Sequence, residues 1–239
     1  MPRRPTLSRR LGTAALWPLG IGLTSWNYLW RTTPLTRSEA AGTSDGDAPP
    51  ELPEGIAQTE WQGPEAGVGP LFHRAYRVRI SGARCTGDAL MTRITADLNV
   101  AAPTQLARFF KVYGERGTVA VGDEFVVRMP GPWDGPVRVV ERTPTSFRFI
   151  TLEGHLEAGQ IEFRAAADGE ELTFSIESWA RSADWLSNLL YHRLRMAKEV
   201  QLHMWTSFLE NVVTLAGGRR CGRMEIETRR VDGELVAQL

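Results

Sequence analysis

The constraint that dominates this sequence is a change of period. From about residue 118 to 180 apolar residues alternate with polar ones between turn signals, and from about 184 to 215 they fall into one stripe at steps of three and four. "GTVAVGDEFVVRM" passes through the loop "PGPWDGP" to "VRVVERT". A turn at Pro144-Thr145 leads into "SFRFITLEG", "AGQIEFRAAA" returns, Asp168-Gly169 marks a two-residue hairpin, and "ELTFSIESWA" completes the series. Strands joined by such short connections pair antiparallel, so the run is a meander.

Beyond the meander, Ser182 or Asp184 is placed to cap a helix to about Leu215, with Leu186, Leu190, Leu194, Ala197, Val200, Met204, Phe208 and Val212 on one stripe and Gly217-Gly218 at its end. A helix of about 30 residues is roughly 45 Å long and can lie across a whole curved sheet. Ahead of the meander, "FHRAYRVRI" is a strand with Tyr76, Val78 and Ile80 on one face and Arg77 and Arg79 on the other. "TGDALMTRITADL" predicts a short helix capped by Thr86 or Asp88, although Ile94, Ala96 and Leu98 also fit a strand. "APTQLARFFKV", with Pro103 and Thr104 at the entrance and Leu106, Phe109 and Phe110 on one side, predicts a second short helix.

Charge divides the chain. Its 239 residues carry 28 basic and 28 acidic side chains, so no basic surplus points to a nucleic-acid partner. Yet residues 1–37 hold Arg3, Arg4, Arg9, Arg10, Arg31 and Arg37 and no acid, whereas 38–69 hold Glu39, Asp45, Asp47, Glu51, Glu54, Glu60 and Glu65 and no base. Four regions follow: a basic, partly apolar head (1–37), an acidic Gly/Pro-rich linker expected to be disordered (38–69), a folded body (70–217) and a tail (218–239). Within the head, residues 11–30 are uncharged and carry Trp17, Trp26, Tyr28 and Trp30, just long enough to cross a bilayer. Three readings stay open there: a membrane anchor, a cleaved export signal, and a helix lying on a membrane or docked on the body. Membrane association is the expectation for localisation, with cytoplasmic or exported placement as the alternative.

Motifs for familiar enzyme chemistry are missing from the sequence: there is no G-x-S-x-G, Walker A, H-E-x-x-H, or G-x-G-x-x-G after a strand. Cys85 and Cys221 form no C-x-x-C pair and are read as free thiols, with one disulfide as the alternative if the body is exported. No cofactor or metal is expected. Glu199 and His203, four apart on the long helix, are read as a solvated surface pair, and His192, Arg193, Arg195 and Lys198 as part of its outer face.

Strand, two short helices, antiparallel meander and long helix make an α+β helix-grip arrangement. In this order the chain resembles the START and polyketide-cyclase superfamily, SRPBCC. More narrowly it resembles the family known as domain of unknown function 1990, on "PVRVVERTPTSFRFITLEG", "GHLEAGQIEF" and "FSIESWARSADWLSNLL". The resemblance covers roughly residues 75–214 and implies a sheet wrapped around the long helix with an apolar cavity between them. It brings no catalytic residues. On that basis the expected function is binding of an apolar or amphipathic small molecule or lipid, held in the cavity and presented at a membrane by the head. Trp133, His155, Gln160 and Arg128 are the candidate ligand-binding residues. An alternative is a cyclase- or hydratase-like enzyme using His155 and Glu157 as acid and base. A third is an envelope-associated structural or partner-binding protein whose interior is filled by its own side chains. The patch "TLEGHLEAGQIEF" is first of all a turn between strands, with Gly154 and Gly159 as backbone devices.

Overall fold

The alternation read over residues 72–80 belongs to a longer strand. β2 spans Val68–Ser81, with Tyr76, Val78 and Ile80 buried on its inner face as expected. The computed structural model describes residues 34–55, 61–129, 134–183 and 196–232. In chain order its elements are β1 (Leu35–Ala41), β2, α1 (Gly87–Ala96), β3 (Arg108–Tyr113), β4 (Glu124–Arg128), β5 (Asp134–Thr143), β6 (Ser146–Thr151), β7 (Glu157–Asp168), β8 (Glu171–Ser182), α2 (Met196–Ala216) and β9 (Arg219–Val231). The strands form one nine-stranded sheet in the order β1-β9-β2-β8-β7-β6-β5-β4-β3. β1 runs parallel to β9 and every other pairing is antiparallel. This is a large, mostly antiparallel, open α+β sheet with a helix near its C-terminal end.

Several expectations change. The second short helix, expected over "APTQLARFFKV", is instead a turn closed by Leu106 N–H and Ala107 N–H on the Pro103 carbonyl, followed by β3. The Asn99 side chain holds both backbone groups of Phe109, accepting from its N–H at 2.8 Å and donating to its carbonyl at 3.0 Å. Those bonds and the β-favouring run "RFFKVY" outweigh the helical spacing. Ser182 ends β8 rather than capping a helix. Residues 184–195, the expected first part of the long helix, lie outside the described residues, as do 11–30 of the head.

The ranges read as linker and tail also carry structure. β1 spans Leu35–Ala41 and β9 spans Arg219–Val231. β1 buries little, so it has no apolar period to find; its backbone simply completes the edge of β9. Residues 42–53 then cross the outer face of the sheet. Gln160 donates to the Pro50 carbonyl at 2.8 Å and Arg148 to the Glu51 carbonyl at 3.1 Å. Leu52 and Trp61 pack on Val140, Ile150 and Leu152. That cover explains why all six residues of β6 are buried, which a sheet open to water on one face would not allow.

The inner face packs on α2 through aromatic side chains. The Phe147 and Phe163 rings stack with centroids 4.7 Å apart, and Phe163 lies 5.5 Å from Phe208 and 5.6 Å from Trp205. Phe147, Phe149, Phe163, Phe174 and Phe208 are all fully buried. Edge-to-face and offset contacts of this kind add to the stabilisation from burial itself. The C-terminal carbonyls of α2 are satisfied from the α1 side: Arg84 N–H donates to Ala216 O at 2.8 Å and Arg93 to Leu215 O at 2.7 Å. Gly217, with φ of 68°, supplies the left-handed residue that turns the chain into β9.

Candidate functional site

The inward-facing residues of the sheet form rows across the strands, and their chemistry changes from one row to the next. One row reads Ile226 (β9), Tyr76 (β2), Ile176 (β8), Phe163 (β7) and Phe147 (β6). The neighbouring row reads Thr228, Arg74, Ser178, Ile161 and Phe149. Three strands thus turn from apolar to polar at the same level. Arg74 is only 5% exposed and Ser178 4%.

A cavity of about 20 Å³, the size of a water molecule or a single oxygen-bearing group, lies at this level. Arg37 and Glu39 of β1, Arg74 and Tyr76 of β2, Gln201 and Leu202 of α2, and Ile226 and Thr228 of β9 line it. Its ionised side chains come in pairs: Arg37 contacts Glu39 at 2.7 Å, and Arg74 lies 3.7 Å from Glu157. Gln201 adds hydrogen bonds of 3.3 and 3.4 Å to the Glu157 carboxylate. The Arg74 guanidinium also stands over the Phe72 ring, 4.5 Å from its centroid. Burial pushes the Tyr76 phenol up to about 12, partly offset by the Arg74 charge, so it is a neutral hydroxyl at any physiological pH.

Two further donors, Trp205 and Ser178, stand next to residues that line the cavity without lining it themselves. Trp205 stands one turn along α2 from Gln201 and Leu202, on the same helix face, and is 7% exposed. Its indole Nε1 and the Ser178 hydroxyl have no hydrogen-bond partner among the described residues. A buried donor left unmade costs about 1–3 kcal/mol, so such groups are uncommon in a core.

Of the residues singled out from sequence, Glu157 reaches two residues that line this cavity, Arg74 and Gln201, without lining it itself. His155 takes another role. Its Nδ1 accepts from the Glu157 backbone N–H at 2.9 Å, which staples the turn, and its ring lies over Gly135. Burial holds its imidazole below the ordinary range, against the raising effect of the Glu157 carboxylate, so it is neutral. The expected acid–base pair is therefore split: one side chain closes a turn while the other faces Arg74. Gln62, from the range read as linker, completes the turn by donating to the carbonyls of His155 at 2.9 Å and Glu157 at 3.0 Å. Gly159 is a backbone device, since a Cβ there would sit 1.9 Å from the Trp179 carbonyl oxygen.

Gln160 lies on the opposite face of the sheet, beneath Pro50. Arg128 is exposed on β4 and stands 4.4 Å from the centroid of the Phe110 ring. Neither lines the cavity. Trp133 lies outside the described residues. His203, expected on a solvated helix face, is buried at 8% exposed. Cys85 and Cys221 are free thiols.

The outer face carries a second polar cluster that sequence reasoning missed. The His73 ring is held between two carboxylates, Nδ1 to Asp47 Oδ1 and Nε2 to Glu177 Oε1, both at 2.7 Å, and stacks on Trp179. Those carboxylates hold the imidazole above its ordinary range, overcoming the opposing effect of burial. In turn the His73 contact holds Glu177 low, and the His73 and Thr43 contacts hold Asp47 low against its burial. Both ring nitrogens are engaged, so the cluster is a charged clasp for the 42–53 segment rather than an open site.

With the geometry in place, the family follows from the match over residues 67–210 to the model described as domain of unknown function (DUF1990). The chain belongs to the DUF1990 family. The matched span takes in β2 through most of α2, and so includes Arg74, Glu157, Ser178 and Trp205 of the polar row and its surroundings. No curated protein matches the DUF1990 chain. Among solved structures it is similar to hypothetical protein jhp0584 from Helicobacter pylori (9% identity, 59% of this chain and 86% of that one, TM-score 0.45). It is also similar to protein Ms6760 from Mycobacterium smegmatis (15% identity, 60% and 90%, TM-score 0.39). A third is ginseng major latex-like protein 151 from Panax ginseng (15% identity, 54% and 97%, TM-score 0.35). At these values the likeness transfers neither ligand nor activity to the DUF1990 domain.

Proposed function

We propose that this DUF1990 domain is a helix-grip protein of the SRPBCC type that binds a small amphipathic molecule at the polar end of its interior. The apolar part of the ligand rests against Leu202, Ile226 and Trp205, and its polar end meets Arg74, Ser178 and Thr228. One observation carries the reading: a cavity lined by the buried Arg74, which pairs with the half-buried Glu157, lies at a level where three strands turn polar together, and two unbonded buried donors, Ser178 and Trp205, stand next to its lining residues. Buried ion pairs add little to stability compared with well-packed apolar residues, and an unmade donor detracts from it. Their presence there is best accounted for by something that they bind.

The centre of the interior is filled with phenylalanine, which limits the ligand to a small molecule or to the tip of a longer one. No described helix is long and apolar enough to cross a membrane. Association with a membrane through residues 11–30 remains part of this proposal, tested by fractionating cells that express the full chain and a chain lacking those residues. The ligand itself is tested by native mass spectrometry of the full chain purified without detergent. A retained small molecule, lost on substitution Arg74→Leu in a variant that keeps its fold by circular dichroism, is the expected result. A ligand-free mass with no gain in thermal stability across a panel of small amphiphiles would overturn it.

A further inference from the structure

The corner of the sheet where α2 turns into β9 gathers arginines from four parts of the chain. β9 opens with Arg219, Arg220 and Arg223, three bases within five residues and no acid among them. Arg79 of β2 stands opposite Cys221 in the register. Arg84 and Arg93 reach the same turn, where the Arg84 N–H and the Arg93 side chain bond the last carbonyls of α2. Two of the six side chains have a use within the fold, since Arg93 caps α2 and Arg79 lies 3.8 Å from Glu171. The side chains of Arg84, Arg219, Arg220 and Arg223 make no ion pair among the described residues, and all but the half-buried Arg220 are exposed. Of the acids nearby, Glu225 lies opposite Arg77, Asp88 bonds Thr86, and Asp168, Glu170 and Glu171 belong to the β7–β8 hairpin on the far side of β2. Positive charge is therefore concentrated on the β9 side.

Solvated arginines alone would be ordinary. What sets these apart is where the chain enters the sheet. β1 runs parallel to β9 with Leu35 opposite Met224, and the Met224 N–H donates to the Pro34 carbonyl at 3.2 Å. The head thus joins the body beside Arg223. Only Arg31, Thr32 and Thr33 separate Pro34 from its uncharged stretch, residues 11–30, which ends in Trp30. Four residue steps of fully extended chain reach about 14 Å at most. With Trp30 at headgroup depth, the start of β9 is held within roughly that distance of the lipid phosphates, comparable to the screening length of about 8 Å at physiological salt. We infer that this corner of the DUF1990 domain docks on an anionic phospholipid bilayer, with Arg84, Arg219, Arg220 and Arg223 at the headgroup phosphates and the head inserted beside them. The inference rests on the membrane association proposed for residues 11–30. A nucleic acid fits less well, because the chain has no basic surplus and the acidic β7–β8 hairpin bounds the patch after two strands.

The test is co-sedimentation of the full chain, at about 0.15 M salt, with vesicles of phosphatidylcholine alone and of equal parts phosphatidylcholine and phosphatidylglycerol. The natural chain is expected to bind the anionic vesicles more tightly. A triple variant, Arg219→Gln with Arg220→Gln and Arg223→Gln, that keeps its fold by circular dichroism should lose about fivefold per arginine there, on the order of a hundredfold in all, with neutral-vesicle binding unchanged. A charge-matched control at the β3–β4 edge, Arg108→Gln with Arg116→Gln and Arg128→Gln, should lose less than about threefold. If both triples lose equally, net charge rather than this corner is responsible and the inference fails. Equal binding of neutral and anionic vesicles by the natural chain would overturn the docking surface and leave the head as an anchor. Binding to neither would remove the membrane association as well. A duplex DNA oligonucleotide bound more tightly than the anionic vesicles, and released by the β9 triple, would overturn the assignment in favour of nucleic acid.

Discussion

The two ends of the interior are built on opposite principles. In the row through Phe163 every inward side chain is apolar apart from the Tyr76 hydroxyl, and the rings of Phe147, Phe163 and Phe208 lock together. One step along the same strands, Arg74, Ser178 and Thr228 replace that packing with groups that burial penalises. The same strands and the same helix supply both. What separates them is therefore side-chain choice rather than backbone geometry. The aromatic end holds the sheet on α2, and the polar end is where the proposed binding would take place.

Substitution should expose that difference most strongly at Phe163, which contacts Phe147, Phe149, Trp205 and Phe208. Phe163→Ala is expected to cost about 3–5 kcal/mol in chemical denaturation, from lost burial plus the cavity left behind. A loss below 1 kcal/mol, on the order of a tolerated core swap, would show that the aromatic end is not the centre of stability.

The outer face is the next place to press. His73→Gln removes an imidazole held between two carboxylates and is expected to cost about 1.5–3 kcal/mol, the range for hydrogen bonds to charged groups. The effect should depend on pH in a fixed direction. A raised imidazole contributes its full stability below its unfolded value and loses it as pH rises through the folded one, whereas the lowered carboxylates lose theirs as pH falls through their depressed values. The clasp is therefore strongest between about pH 4.5 and 6.5, bounded by the ordinary carboxylate and imidazole values. Amide hydrogen exchange of Thr43 and Gly46, corrected for its intrinsic rise with pH, should lose protection above that window in the natural chain and show no such loss in His73→Gln. The same protection in both chains at every pH would remove the clasp from the account.

How much of this was legible in the sequence follows from what each element rests on. The meander and the late helix were readable because Val137, Val139, Phe147, Phe149, Phe163, Phe174 and Phe208 carry their periods in their own side chains. β1 was not, because its partner β9 supplies its hydrogen bonds and its side chains stay largely in water. The strap over residues 42–53 was hidden for the same reason: it is fastened by backbone carbonyls of Pro50 and Glu51 and by one buried acid, Asp47, 1% exposed. The polar row did leave a trace. In "FHRAYRVRI" Arg74 has the parity of Tyr76, and in "ELTFSIESWA" Ser178 has that of Phe174 and Ile176. A polar residue on the apolar side of two adjacent strands marks a buried polar site, but their meeting depends on a register that only the fold provides.

The smallest expected effect is the most informative about purpose. Ser178→Ala removes a buried hydroxyl that has no partner among the described residues, so its stability should match the natural chain or exceed it by up to about 1 kcal/mol. A loss above 1 kcal/mol would mean that the hydroxyl is already bonded and structural.

The central claim is that recognition occurs where the rows turn polar. It is tested most directly by mapping ¹H–¹⁵N and methyl chemical shifts of the full chain during titration with a panel of small amphiphiles. The account predicts that the displaced signals cluster on the Trp205 indole, Ser178, Arg74, Leu202 and Ile226, with those of Phe174 and Val78 unmoved. Displacements scattered over the surface, or confined to the outer face around Trp179, would contradict it.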